Sequence, residues 1–579
     1  MSTGSDAAAG LPSDERTIYF GIRSVERVSN ETEDQTALPY TFVVNGRRVY
    51  IKGWNWVPID VMYGVERPEK LERLLTLAKR ANVNMLRVWG GGLIEKKDAF
   101  YDRCSRYGIM VWQEFIQSSS GIANKPSADP EFLAMMVDEA EQIIPCKRNH
   151  ASLVLWCGGN ELQGPGGVPL DDREPVLGAL SEVVKRLDPD RHWLPTSPTG
   201  RLFSNTLDNI AKDPAGLHDV HGPWEHQGLT GQYTLYNRGT SLLHSEFGVE
   251  GMTNRKTLDR SISASRQWPP SKDNPVYFHR GAWWINEQLV QEAFDGIDDL
   301  GHMIRASQML QADGLRYAIE SNRRRKYQNS GTLPWQFNEP YPNGYCTSAL
   351  DYYARPKSAY YAAAEAYRPV HVTASFPTQA WAGRAAFEAE LWAVNCLLQP
   401  LEDAVLEAAL AGSGGGRYLE RSYSVTVEAD RPTRLTGINA DLNEWMDEIF
   451  FFLDLVLRDR EGEVVSDNRY LFFQGRKIWL PLGESRKPRS RQYANRSMTD
   501  YGTSSSLTPE LMRRYNCGWM THASPTPRGT YIFSRNDLNL FPGESRTVEA
   551  DWSGVPSEER CIELTCWNSR ETRILSCRQ

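Results

Sequence analysis

The sequence has no long hydrophobic run, and that absence excludes one class of protein. Nowhere in the 579 residues do about eighteen apolar residues follow one another, so we expect no membrane-spanning helix and no membrane partner. The N-terminus, MSTGSDAAAG, has neither a basic region nor an apolar stretch, so it is not typical of a signal peptide. Together the two absences predict a cytoplasmic location.

The net charge and the cysteine spacing indicate no special partner or site. The formal net charge of −8 is modest for a chain of this length, and nothing in it points to nucleic acid as a partner. The nine cysteines are scattered, with only Cys561 and Cys566 close together. No spacing is typical of a zinc site or of a disulfide framework. Scattered single cysteines fit a reducing compartment.

Aromatic residues, in contrast, are abundant. The chain has 18 Trp and 25 Tyr, and several follow predicted strand ends. Aromatic rings stack on the apolar C–H faces of sugars, but they also fill large cores. The composition favours a carbohydrate partner without establishing one.

Hydrophobic patterning divides the chain into five parts. The segment 1–15 is small and polar and is predicted to be disordered. In 16–49 a predicted strand over Thr17–Val25 precedes a hairpin whose turn is Asn45-Gly46. Residues 50–368 alternate predicted strands and helices, and residues 369–480 contain strands of period two. Residues 481–579 contain a Ser-, Arg- and Pro-rich linker and a second small β module.

Eight apolar runs in the third part are short enough to be buried parallel strands. They are Val49–Trp56, Asn84–Trp89, Ile109–Glu114, Leu153–Cys157, His192–Thr196, His218–His221, Ser241–Phe247 and Thr332–Phe337. Helical patterns lie between most of them, among them Arg67–Ala81, Asp98–Tyr107, Pro130–Arg148, Arg173–Leu187 and Met303–Arg324. Eight strands with interleaved helices over roughly 300 residues are typical of a (β/α)8 TIM barrel, an α/β fold.

After the barrel the apolar period changes to two, which favours a β-sandwich. The predicted sandwich strands are Phe387–Leu398, Arg421–Ala429 and Ile449–Arg458. The second module is indicated by Tyr531–Phe533, Arg546–Ala550 and Arg560–Thr565. The predicted fold is a TIM barrel followed by C-terminal immunoglobulin-like β-sandwich domains.

Two glutamates stand in unusual sequence contexts at the ends of predicted barrel strands. Glu161 closes LVLWCGGNE at 153–161, and Glu246 lies in LLHSEFG at 242–248. The carboxyl ends of barrel strands are where catalytic residues are found, and two carboxyls are the minimum for cleaving a glycosidic bond. Asn160 could hydrogen-bond a sugar hydroxyl beside the acid. A surface position is the default for a single glutamate, but two such glutamates in one barrel disfavour that interpretation.

Five motifs give the chain a resemblance to glycoside hydrolase family 2, in its β-mannosidase branch. They are KGWNWVPID at 52–60, LRVWGGG at 86–92, GIMVWQEF at 108–115, GNE at 159–161 and SEFG at 245–248. They occur in the order expected for the family, and the resemblance is strongest over 50–366. It implies a retaining exo-β-glycosidase that forms a covalent glycosyl–enzyme intermediate and needs no cofactor.

The resemblance also implies a role for individual residues. It makes Glu161 the general acid/base, Glu246 the nucleophile and Arg87 the arginine that orients the nucleophile. The other implied site residues are His221 near the nucleophile, Trp335 as aromatic floor, Asp60 and Trp112 in contact with the terminal sugar, and Trp89 and Trp56 in support. For Arg87 the alternative is a core ion pair, for the tryptophans packing, and for His221 a core histidine with its hydrogen bonds satisfied.

Some segments depart from the family pattern. Glu114 stands where β-mannosidases usually have Asp, and the loops Ile116–Pro126 and Gly248–Gly251 differ. The family normally begins with a jelly roll and a complete immunoglobulin-like domain, of which only Thr17–Val28 is recognisable here. One strand cannot bury a sandwich core. We therefore expect a shortened form, a homodimer, or a separate upstream chain that supplies the missing domains.

Alternatives to β-mannoside hydrolysis stay open. One keeps the mechanism and changes the sugar to a β-glucosaminide, β-galactoside or uronide. Another is a carbohydrate-binding remnant of weak activity. A metal site is a further interpretation of His218, His221 and His226, but we expect only His221 to face the barrel mouth and therefore no metal.

Overall fold

The computed structural model describes most of the chain up to residue 474 and five short strands beyond it. The described residues are 17, 19–92, 98–118, 124–281, 284–294, 297–412, 415–443 and 450–474, with backbone strands within 521–576. The first sheet is antiparallel, with strands β1 (Val25–Val28), β2 (Thr41–Val44) and β3 (Arg47–Val49). The hairpin prediction is confirmed, because β2 and β3 pair across Asn45 and Gly46, whose φ angles are 51° and 76°.

The strand predicted over Thr17–Val25 is wrong in position. The described residues before Val25 form no strand. The Arg23 guanidinium donates to the carbonyls of Ala151 and Leu153 at 2.7 Å each, so this segment runs along the barrel instead of pairing in a sheet. It leaves Phe20 and Ile22 exposed.

The predicted barrel is confirmed. Its strands are β4 (Ile51–Trp56), β5 (Met85–Val88), β6 (Met110–Glu114), β7 (Leu153–Cys157), β8 (His192–Leu194), β9 (Asp219–His221), β10 (Leu243–Phe247) and β12 (Gly331–Pro334). All pair in parallel in the order β8-β7-β6-β5-β4-β12-β10-β9. The Asp219 N–H donates to the Thr199 carbonyl at 3.3 Å, which links the two ends of the curled sheet. A short ribbon joins β11 (Gly251–Met252) to β13 (Tyr345–Cys346).

Helices surround the sheet. They are α1 (Pro68–Arg80), α2 (Asp98–Tyr107), α3 (Pro130–Lys147), α4 (Pro175–Leu187), α5 (Leu207–Lys212), α6 (Gly231–Arg238), α7 (Arg255–Ser261), α8 (Pro275–His279), α9 (Glu287–Ala293), α10 (Leu300–Arg324) and α11 (Ser358–Ala366). In α1, Pro68 occupies the first turn and Leu71, Leu74 and Leu75 face the core. At α10, Asp299 accepts the His302 N–H at 3.0 Å as the N-cap.

A β-sandwich of seven strands follows the barrel. Its two antiparallel sheets are β14-β15-β18 and β17-β16-β19-β20. The strands are β14 (Val370–Ser375), β15 (Ala386–Asn395), β16 (Leu401–Gly412), β17 (Arg417–Val427), β18 (Pro432–Asp441), β19 (Phe450–Arg458) and β20 (Val464–Phe473). Buried residues alternate with exposed ones along the first half of β15, which is the pattern of a strand with one face in a core. Trp381, Phe387, Phe451 and Phe472 pack together there.

Beyond residue 520 the structure describes only backbone pairing. β21 (Thr521–Pro525), β24 (Cys561–Cys566) and β25 (Thr572–Ser576) form one antiparallel sheet, and β22 (Ile532–Phe533) pairs with β23 (Ala550–Asp551). The segment predicted as linker, 482–506, lies outside the described residues, as does most of the strand predicted over Arg546–Ala550. Of the helices that the structure describes, none has both the length and the apolar character to cross a bilayer.

A buried carboxylate ties the barrel to the sandwich. Glu320 on α10 accepts hydrogen bonds from His371 Nε2 at 2.8 Å, Asn468 Nδ2 at 2.9 Å and the Tyr470 hydroxyl at 2.7 Å. Burial alone would raise the pKa of Glu320, but these hydrogen bonds and the charge of Arg316 lower it to about 2. A folded-state pKa below the ordinary 4.5 stabilises the protein above that pH, and the contribution is lost as the pH falls toward 2.

We therefore expect Glu320→Gln to lower the free energy of unfolding by about 2–3 kcal/mol at neutral pH. The variant should also lose less stability than the wild type when acidified from pH 5 to pH 3. Urea unfolding at several pH values measures both effects. Glu390→Gln, which breaks an exposed pair with Arg434, is the control and should stay close to wild type. Equal acid sensitivity of the wild type and Glu320→Gln would contradict the assignment.

Candidate active site

The structure brings the two predicted glutamates together at the barrel mouth. Glu246 lies within β10, and Glu161 follows β7 by four residues. The nearest side-chain oxygens of Glu161 and Glu246 and the nearest ring nitrogen of His221 all lie within 4.8 Å of one another. The strand ends thus form one compact site.

Arg87, from β5, lies at the centre of this site and is fully buried. Its Nη1 donates to Glu246 Oε2 at 2.7 Å and to Asn55 Oδ1 at 2.6 Å. Its Nη2 donates to Asn160 Oδ1 at 2.5 Å, and its Nε donates to Glu114 Oε1 at 2.9 Å. One guanidinium therefore links side chains from β4, β5, β6 and β10 and from the loop after β7.

Charge compensation keeps this arginine in the interior. Burial would lower the pKa of Arg87, but the carboxylates of Glu114 and Glu246 raise it above its ordinary value. Burial likewise raises the pKa of Glu114, while Arg87 and the Gly90 N–H, 2.7 Å from its Oε2, act in the opposite direction. A Cβ on Gly90 would lie 2.7 Å from the Phe115 and Gln117 carbonyls, so the close approach of this N–H requires glycine.

Both oxygens of Glu246 accept hydrogen bonds. Oε2 receives Arg87, and Oε1 receives the Trp224 indole N–H at 3.0 Å. Burial raises the pKa of Glu246, and the positive charge of Arg87 counteracts that rise. Two donors directed at the two oxygens favour the ionised carboxylate, which is the form that attacks as a nucleophile.

Glu161 has a different environment. Its backbone adopts a φ of 55°, which is rare outside glycine, and its N–H donates to the Ser197 carbonyl at 2.7 Å. Its Oε1 lies 2.9 Å from His221 Nδ1. Burial lowers the pKa of His221 to about 3, so this histidine is neutral near pH 7. A carboxyl beside a neutral imidazole can alternate between its acid and its base form.

Four residues at this site were not predicted as members of it. They are Glu114, Asn55, Trp224 and Ser197. Asn55 stands inside the KGWNW motif, so its spacing in β4 could have indicated it. Trp224 follows β9 in the sequence Gly-Pro-Trp, at a strand end where site residues gather.

Trp112, predicted to contact the sugar, and Trp56, predicted in support, are both deeply buried. Trp112 is 0% exposed and lies beneath Arg87, with 5.6 Å between the guanidinium carbon and the ring centre. Trp56 is 1% exposed and packs on Phe100 and Phe337. Burial alone does not separate these rings from the site, because Arg87 and His221 are buried to the same degree, so the roles of Trp112 and Trp56 stay predictions.

The remaining predicted residues lie near the rim. Trp89 and Trp335 are half-buried and meet edge to face, with ring centres 5.1 Å apart. Asp60 accepts from Tyr352 at 2.6 Å and from Arg67 at 3.1 Å, and it fixes the loop after β4. Burial would raise the pKa of Asp60, but these hydrogen bonds hold it below its ordinary value. Roles of these three residues in sugar binding stay predictions.

The histidine group does not form one site. His218 Nε2 lies 2.9 Å from Asp34 Oδ2, and His226 Nδ1 accepts the Gly228 N–H at 3.0 Å. Only His221 of the three lies beside the glutamates. Together with Glu161 and Glu246 it could in principle hold a cation, but the guanidinium of Arg87 already neutralises Glu246.

The fold is that of TIM-barrel glycoside hydrolases, and two carboxyls at the strand ends are compatible with that class. Residues 39–213 match the TIM barrel domain of glycosyl hydrolases family 2. Over 582 residues the chain is 28% identical to β-mannosidase B of Thermothelomyces thermophilus, covering 92% of this chain and 64% of that protein. The barrel segment 39–213 thus matches glycoside hydrolase family 2, and the chain resembles the β-mannosidase-like branch of that family.

Solved structures agree on the fold. A β-D-mannosidase from Dictyoglomus thermophilum matches with a TM-score of 0.72 at 24% identity, covering 95% of this chain and 64% of that one. An exo-chitosanase from Amycolatopsis orientalis matches with a TM-score of 0.70 at 17% identity, covering 98% and 68%. The chain spans about half to two thirds of the length of three curated relatives that it matches, at 64%, 47% and 53%.

The stability of the site should depend on charge balance at Arg87. We expect Arg87→Met to lower the free energy of unfolding by about 3–5 kcal/mol, because it leaves Glu114 and Glu246 buried without their cation. Adding Glu114→Gln to that variant should recover part of the loss, since one uncompensated charge is removed. Urea unfolding of the two single variants and the double variant measures this cycle. Strictly additive losses would contradict the account.

Proposed function

We propose that the protein is a retaining exo-β-glycosidase that removes terminal β-mannosyl residues. The observation that carries the proposal is the short distance between the two carboxyls, whose nearest oxygens lie within 4.8 Å. Retaining enzymes hold their carboxyl groups about 5–5.5 Å apart, whereas inverting enzymes leave about 6.5–9.5 Å for a water molecule. The distance here supports direct attack by one carboxylate.

The surroundings of the glutamates support one division of roles. Glu246 accepts from Arg87 and Trp224 and is the nucleophile. Its oxygen attacks the anomeric carbon and forms a glycosyl ester, while Glu161 gives its proton to the leaving oxygen. In the second step Glu161 takes a proton from water, whose oxygen attacks the same carbon and releases Glu246. The sugar therefore leaves with its original anomeric configuration.

The choice of mannose and of the chain end rests on the family. The β-mannosidase B and β-D-mannosidase relatives support mannose as the sugar. The Trp89 and Trp335 pair, half-buried at the rim, would supply apolar ring surface for its C–H face. The chain spans only part of the length of those relatives, so the substrate has to be measured on this chain itself.

Release of p-nitrophenol from a panel of aryl glycosides tests the substrate. We expect the β-mannoside to exceed the β-glucosaminide, β-galactoside and β-glucuronide in kcat/KM. Reduced manno-oligosaccharides should lose one mannose at a time from the non-reducing end. Faster turnover of another sugar would reject mannose specificity, and no turnover of any sugar would reject the activity.

Variants of the two glutamates test the mechanism. Glu246→Gln should abolish turnover, and Glu161→Gln should lower kcat about 10²–10⁴-fold on substrates with poor leaving groups. Glu250→Gln is the matched control. Glu250 is also buried, and burial raises its pKa to about 8, so it is neutral at pH 7 and glutamine is nearly isosteric. Loss of activity in Glu250→Gln equal to that in Glu246→Gln would contradict the assignment.

The indole of Trp224 should tune the nucleophile. We expect Trp224→Phe to lower kcat/KM about 10²-fold. The acidic limb of the pH profile of kcat/KM should move to higher pH, because the variant removes a donor that favours the ionised form of Glu246. The pH dependence of kcat/KM measures the shift. Trp193→Phe removes an indole that donates to Asp172 outside the site and should leave the profile in place. An unmoved acidic limb in Trp224→Phe would show that the indole has no such role.

A further inference from the structure

Asp219 is a buried carboxyl that the proposed mechanism does not use. It lies on β9 with no exposed surface. The hydroxyls of Ser197 and Ser245 act on its carboxyl as donors, but its Oδ1 has no hydrogen bond of good geometry and its carboxyl forms no ion pair among the residues that the structure describes. Burial raises the pKa of Asp219 to about 7. A buried carboxyl with neither a cation nor a full set of donors costs free energy, so its position calls for a functional reason.

A continuous chain of hydrogen bonds joins this carboxyl to Glu161. Asp219 Oδ2 lies 2.9 Å from Ser197 Oγ, which lies 3.1 Å from His221 Nε2. The other ring nitrogen, His221 Nδ1, lies 2.9 Å from Glu161 Oε1. We propose that Asp219 is a positioning residue for the acid/base, because it exchanges a proton with Glu161 through Ser197 and His221. The role of Glu161 in this proposal rests on the proposed function.

The chain has two complete proton arrangements. In one, protonated Asp219 donates to Ser197, Ser197 donates to His221 Nε2, and His221 Nδ1–H donates to ionised Glu161. In the other, protonated Glu161 donates to His221 Nδ1, His221 Nε2–H donates to Ser197, and Ser197 donates to ionised Asp219. Three protons each move by one hydrogen bond between the two states. One negative charge passes from one carboxyl to the other, and the total charge is unchanged.

The negative charge of Glu246 disfavours the first arrangement, whereas burial of Asp219 disfavours the second, so neither carboxyl holds the charge alone. Glu246 lies beside Glu161, so an ionised Glu161 would stand next to a second negative charge. Moving the charge to Asp219 places it farther from Glu246. The charged and titratable groups that face the chain from packed elements are Arg87, Glu114, Glu246, His244 and Tyr40. The first two have opposite charges and are paired with each other.

The consequence is a raised proton affinity of Glu161. While Asp219 can hold the negative charge, Glu161 keeps its proton to a higher pH and acts as an acid over a wider range. Without Asp219, Glu161 should ionise at a lower pH. The basic limb of the kcat/KM profile reports that ionisation in the free enzyme.

The test is the pH dependence of kcat/KM on an alkyl β-mannoside, whose poor leaving group requires the acid. Asp219→Asn should move the basic limb to lower pH by about one unit. Ser197→Ala breaks the chain but keeps both carboxyls, and it should give the same shift. The double variant should shift no further than either single one. An unmoved basic limb in folded Asp219→Asn, or additive shifts in the double variant, would overturn the proposal.

Tyr40→Phe provides the matched control. The Tyr40 hydroxyl is also buried near Asp219, but it bonds to Thr199 Oγ1 at 2.7 Å and has no place in the chain. Its removal should cost stability without moving the basic limb. A shift in this variant equal to that in Asp219→Asn would indicate a general loss of packing and would overturn the proposal.

Infrared difference spectra recorded as a function of pH test the proton exchange without requiring the chain to hydrolyse any glycoside. Burial also raises the pKa values of Glu250 and Glu339 toward neutrality, so the full chain should show several protonated carboxyl bands that titrate there, and Asp219→Asn should lack one of them. Ser197→Ala should change the pH at which that band titrates. These results would stand even if the chain hydrolysed none of the glycosides, in which case only the proposed function would fail. A set of bands that is unchanged in Asp219→Asn would overturn the proposal.

Discussion

The buried guanidinium of Arg87 is the interaction on which the rest of the site depends. An arginine that is shielded from solvent must donate hydrogen bonds to protein acceptors, because its burial is otherwise strongly unfavourable. Here the acceptors are Glu246, Glu114, Asn55 and Asn160. Each comes from a different strand or strand end, so satisfying one cation fixes the relative positions of five barrel segments.

That constraint also separates the two glutamates chemically. Glu246 faces Arg87 directly, whereas Glu161 meets the neutral ring of His221. Two carboxyls of the same type, within 4.8 Å of each other, thereby receive different surroundings. One environment favours the anion and the other permits protonation, which is the asymmetry that a double displacement needs.

Much of the fold could be predicted because its signals are local. The eight barrel strands are short apolar runs, and helices such as α1 have caps and leucine spacing that can be read from neighbouring residues. The frames around Glu161 and Glu246 were informative for the same reason, because each combines a buried strand with a polar residue at its end. The extended segment before Val25 was placed wrongly because its course depends on contacts of Arg23 with carbonyls far along the chain.

The site could be predicted only in part, because depth within the barrel is not a local property. Trp112 and Trp56 belong to motifs at the mouth, yet both lie in the core. Only the packing of β8, β9 and β10 in the barrel makes neighbours of Trp224, Ser197 and Asp219. No spacing in the sequence brings Asp219 to Glu161, since Ser197 and His221 join them across separate segments.

The most direct test of the central claim is to trap the covalent intermediate. A 2-deoxy-2-fluoro-β-mannosyl fluoride slows the second step of a retaining reaction, so the sugar should remain attached to the protein. Mass spectrometry of the digested chain should then find one added sugar, on the peptide that contains Glu246. Turnover of β-mannosides without any label, or a label on a different carboxyl, would contradict the account.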